Sequence, residues 1–83
     1  MENNPKTRTF AEIAREIQKL WPNMYFGAEP YVQAMSCIHS SDKHASYLFE
    51  DAESIVNYFL ANAQTWRGAD ARRIKAELKS MLK

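Results

Sequence analysis

With 83 residues, 46% of them hydrophobic and 25% charged, and with two Gly and three Pro, the chain has the composition of one small folded domain and not of a disordered segment. No apolar run approaches the ~20 residues of a helical membrane span, and a lone Cys37 excludes an internal disulfide and points to a reducing, cytoplasmic setting. The start Met-Glu-Asn-Asn-Pro-Lys has neither the basic nor the apolar region of a signal peptide. Net charge is +1, but its distribution is uneven: residues 1–65 carry five Lys and Arg against eight Asp and Glu, whereas residues 66–83 carry six against two.

Residues 1–8 are polar and hold Pro5, which predicts a flexible tail ahead of one helical domain over 9–83. Thr9-Phe10-Ala11-Glu12 has the form of a capping box, so the first helix begins there. Its apolar stripe is Phe10, Ile13, Ala14, Ile17, Leu20 and Trp21, and Pro22 ends it. After a turn and the Gly27 break, Pro30 suits the first turn of a second helix over 29–39, with Tyr31, Ala34, Met35 and Ile38 on one side. The polar segment 40–46 reads as an exposed loop.

A third helix is predicted over 50–64 from Ala52, Ile55, Val56, Phe59, Leu60 and Ala63, with Glu50, Asp51 and Glu53 at the positive end of its dipole. A fourth follows over 66–82, with Ala71, Ile74, Leu78, Met81 and Leu82 at the same period. The short link at Thr65 to Gly68 predicts a C-terminal antiparallel helical hairpin, and the whole reads as an all-α, compact four-helix domain. An α+β variant pairs short extended pieces at 24–26 and 47–49.

Arg72, Lys75, Lys79 and Lys83 make a basic stripe that, with Arg67, suits a phosphate backbone or an acidic protein groove. In an antiparallel hairpin, however, Lys79 and Lys83 approach Glu50, Asp51 and Glu53, and pairs such as Asp70 with Arg73 or Arg73 with Glu77 are ordinary helix-surface contacts. A helix-turn-helix is disfavoured because the connection after Trp21 is long and residues 30–39 carry no Lys or Arg. Cys37, His39, Asp42 and His44 match no zinc spacing, so no metal is assigned. Cys37 with His39, or Ser41 with His44 and Asp42, lack a glycine elbow or other sign of an activated nucleophile; no catalytic residue, cofactor or enzyme activity is expected.

The segments Tyr25 to Tyr31, Ala34-Met35, Tyr58 to Ala63, Trp66-Arg67-Gly68 and Ile74 to Leu78 resemble a group of small helical proteins from phages and mobile elements of gut bacteria. The resemblance implies a bacterial or phage cytoplasmic setting, and it carries no binding residue because no activity is established for the group. The expectation is therefore a non-enzymatic protein-interaction module that binds a host protein or associates with itself. Its partner-binding residues would be Trp66, Arg67, Arg72, Lys75 and Tyr58. The alternative is a nucleic-acid-binding protein that uses the basic stripe; a third class is a small anionic ligand held between protomers.

Overall fold

In a computed structural model that describes residues 7–83, four helices and one two-stranded hairpin follow in the order α1 (Phe10–Leu20), α2 (Glu29–Ser36), β1 (Ser46–Tyr47), β2 (Glu50–Asp51), α3 (Ala52–Ala61) and α4 (Ala69–Met81). The fold is mostly helical. Its radius of gyration, 11.9 Å, is close to the ~12 Å of a compact chain of this length.

The start of α1 explains why the helix begins where it does. Phe10 and Ala11 are fully buried, so their amides, which have no partner within the helix, must be satisfied elsewhere. They donate to the carbonyls of Ser40 and Ile38 at 2.9 and 3.0 Å. The capping box supplies the next turn: Glu12 N donates to Thr9 Oγ1 and Thr9 N to Glu12 Oε1. The segment after α2 thus closes over the N-terminus of α1 and orders a stretch that is locally featureless. Trp21 caps α1, one residue before Pro22.

Ile13, Ala14 and Ile17 of α1 meet Val32 and Met35 of α2, Ile55, Val56 and Phe59 of α3, and Ile74 and Leu78 of α4 in one continuous core. The closest helix packing is α1 on α2 and α2 on α3, and α4 rests against α1. Leu20, expected in the core, is 37% exposed at the last turn of its helix.

Several boundaries differ from expectation, and among them α3 ends at Ala61 and not at 64 and α4 begins at Ala69 and not at 66, the intervening residues forming the link. Helix α2 stops at Ser36, and Ile38 and Ser40 go on to serve α1. Glu50 and Asp51 do not open α3 but form β2, paired antiparallel with β1 in the register Ser46 with Asp51 and Tyr47 with Glu50. Asp51 is then the N-cap, its Oδ1 accepting from Ser54 N at 2.9 Å. The strand pairing foreseen between 24–26 and 47–49 is replaced by this local hairpin, and residues 26–28 form a turn. Of the tail, residues 1–6 lie outside the described residues. Arg8 is held in place: its Nη2 donates to Glu77 Oε1 at 2.6 Å and its Nη1 to Glu16 Oε1 at 2.7 Å.

Candidate protein-docking site

The residues expected to meet a partner separate into three environments. Trp66 is buried at 6% exposure and stacks on Trp21, ring centroids 5.2 Å apart and planes 6° apart, while Trp21 sets its edge against Phe59 at 6.5 Å. Its ring is core and cannot anchor a partner. Lys75 is tied to the same turn, its Nζ donating to the Trp66 carbonyl at 2.8 Å. Partial burial pushes its pKa down, with Lys79 and Arg67 adding positive charge nearby. Arg67 and Arg72 are exposed.

On the basic helix, Arg73 bridges Glu16 at 2.9 Å and Asp70 at 3.2 Å and does not pair with Glu77, which goes to Arg8. The Arg73 and Arg8 guanidinium groups hold the Glu16 carboxyl below the usual glutamate value. Among the described residues, Lys79 and Lys83 make no ion pair with Glu50, Asp51 or Glu53. It is Lys43 that reaches this end of α4, donating to the Leu82 carbonyl at 3.0 Å.

Tyr58 lies elsewhere. It is half exposed and stacks on Tyr31 of α2, centroids 5.5 Å apart. Tyr31 forms one side of a groove of about 270 Å³, with Pro30 and Ala34 from α2, Ile55 from α3, and Tyr47, Leu48, Phe49 and Glu50 from the hairpin. Leu48 and Phe49, the two residues of the hairpin turn, are 77% and 103% exposed.

Leu48 also carries a φ of 59°. At the first position of a two-residue turn this is glycine's place, and leucine there strains the backbone by ~1–2 kcal/mol. Two large apolar side chains held outward on a strained turn gain little from folding. The sequence offers no turn signal at Leu48-Phe49, and only the position of Tyr58 off the main stripe of α3 hints at this face.

A second depression, of about 260 Å³, opens between α1 and α2 but carries Gln18, Glu29 and Gln33 among its lining residues. Exposed Phe26 and Tyr25 pair at 4.9 Å on the α1–α2 connection. The ligand atoms of His44, Asp51 and Glu53 lie within 4.8 Å of one another. Asp51 there already serves as the cap of α3, and Ser54 N holds its carboxyl below the usual aspartate range. Cys37 and His39 are exposed and stand apart from this group.

No family model, no curated protein and no solved structure matches this chain. Among the described residues, no helix is long and apolar enough to cross a membrane.

Proposed function

We propose that this chain is a non-enzymatic, cytoplasmic protein-interaction module, an accessory protein of a phage or mobile element, that binds a partner protein through the groove between α2 and the hairpin. The observation that carries this reading is the full exposure of Phe49 beside strained Leu48 and an apolar groove. Of the five residues expected to bind, Tyr58 belongs to this face through its stack on Tyr31. In this reading α3 and α4 form an antiparallel hairpin, of which α3 supplies Ile55 to the site. Support comes from Lys43, whose carbonyl accepts from Glu53 N at 3.0 Å while its Nζ reaches the Leu82 carbonyl, linking the start of α3 to the end of α4.

Affinity capture from a gut-bacterial lysate tests the reading. A partner held by the wild type should be lost with Phe49→Ser and kept with the double variant Arg72→Glu, Lys79→Glu; the opposite pattern would reject it.

The runner-up is nucleic-acid binding by Arg67, Arg72, Lys79 and Lys83, favoured by the lack of ion pairs to Lys79 and Lys83 among the described residues. Binding that neutralises several phosphates falls steeply with salt. Low-salt gel retention that the Arg72→Glu, Lys79→Glu variant abolishes is what this alternative requires.

A further inference from the structure

Resting on that reading of the groove, we infer that its occupant is an amphipathic helix of another protein that carries a large apolar anchor and a flanking Lys or Arg. Three properties of the face select this chemistry. The groove, about 270 Å³, is lined by aromatic and aliphatic side chains with Glu50 as the one charged residue, a lining that suits the apolar side chains of a partner. Strands of two residues each are too short to template an added strand, whereas a helix needs only a groove and its anchors.

The third property is charge. Glu50 is the one charged residue lining the groove. No Lys or Arg lines it, and Lys43, the one Lys or Arg of residues 20–66, is turned to the Leu82 carbonyl. An apolar groove whose lining carries a carboxylate and no cation attracts a basic helix and repels an acidic one.

A second copy of the chain does not meet these requirements. A two-fold contact sets one Glu50-bordered face on another, like against like. A head-to-tail contact would offer α4, whose exposed residues include Arg72, Arg73, Ala76, Lys79 and Ser80 and no large apolar anchor.

Two synthetic helical peptides test the inference, one of leucine and lysine and one of leucine and glutamate with identical leucine positions. Each is titrated into the full chain at 0.15 M salt and followed by calorimetry and by amide chemical shifts of Tyr31, Ala34 and Ile55. The Leu/Lys peptide should bind at least ~10-fold more tightly than the Leu/Glu peptide, move those amides, and lose its binding with Phe49→Ser. Glu50→Lys should reverse the preference.

Because the molecule as a whole is positive, non-specific attraction would favour the Leu/Glu peptide instead. Equal binding of the two peptides, both lost with Phe49→Ser, overturns the charge selection and leaves the apolar docking site standing. Binding indifferent to Phe49→Ser removes the site itself. Failure of both peptides to bind rejects a helical occupant, and a concentration-dependent dimer abolished by Phe49→Ser assigns the groove to a second copy. Phe49 is fully exposed, so its replacement leaves folding intact, which far-ultraviolet dichroism verifies.

Discussion

Leu48 and Trp66 stand at opposite ends of the balance between stability and function. Leu48 pays conformational strain at φ 59° and buries little, so its side chain contributes almost nothing to the free chain. Asparagine tolerates that backbone region without glycine's extra entropy in the unfolded state. Leu48→Asn should therefore raise stability by about 0.5–1 kcal/mol in urea denaturation while weakening peptide binding; a destabilisation of that size would show that the turn is relaxed. Trp66 is the reverse case. Its stack on Trp21, which in turn meets Phe59, fixes the α3–α4 link onto α1. Trp66→Ala should cost ~3–5 kcal/mol, a large part of the ~4–12 kcal/mol available to 83 residues. A melting temperature lowered by less than a few degrees would contradict this assignment. Loss of a partner in Trp66→Ala consequently reports unfolding, and Phe49→Ser or Tyr58→Ser is the informative substitution for binding.

At the scale of the elements, the junction before α4 depends on one backbone conformation. Gly68 takes φ 111°, outside what other residues readily adopt, and α4 starts at the next residue with Arg72 N donating to the Gly68 carbonyl. A Cβ there meets no atom, so the cost of Gly68→Ala is conformational and not steric, about 1–2 kcal/mol in chemical denaturation. An unchanged midpoint would mean that the junction has another accessible geometry. Helix identity was legible because it is local: the capping box at Thr9, the apolar period of α3 and the stop at Pro22 all lie within a few residues of what they control. Glu50 and Asp51 misled because a carboxylate before a helix reads the same whether it is the first turn, a cap or a strand end. The β1–β2 turn was illegible for a related reason, since Leu-Phe carries none of the residues such turns prefer. The placement of Arg8 and the groove between α2 and the hairpin depend on residues far along the chain, Glu77 being 69 positions from Arg8, and no local pattern encodes them. The exposure of Tyr58 was legible because it stands off its helix's stripe; its stack on Tyr31 was not.

Over the whole molecule, α2, the hairpin and α3 carry Glu29, Glu50, Asp51 and Glu53 and no Lys or Arg, whereas α4 carries Arg72, Arg73, Lys75 and Lys79 against Asp70 and Glu77. The seam between α4 and α1 is the carboxylate–guanidinium cluster of Glu16, Glu77, Arg8 and Arg73, partly shielded from water. Such a cluster holds each long side chain once for several contacts, so it loses less entropy per pair than isolated surface bridges. Its pH dependence has a definite sign. Arg73 first and Arg8 second hold Glu16 below the usual value of 4.5, so the folded state binds the proton less readily than the unfolded chain. The stabilisation from Glu16 is thus fully present above pH 4.5 and lost as pH falls through the lower folded value. The Asp51 cap, lowered by the Ser54 amide, acts in the same direction. Melting temperature should fall on acidification from pH 6 to 3, and Glu16→Gln should start lower at pH 6 and fall less, so that the two curves draw together as pH falls. Parallel curves would mean that Glu16 is equally protonated in both states and that α4 is held to α1 by its apolar contacts alone. Because Glu16 joins Arg73 of α4 and Arg8, convergence would place an acid-sensitive joint at the α1–α4 seam, away from the proposed docking face.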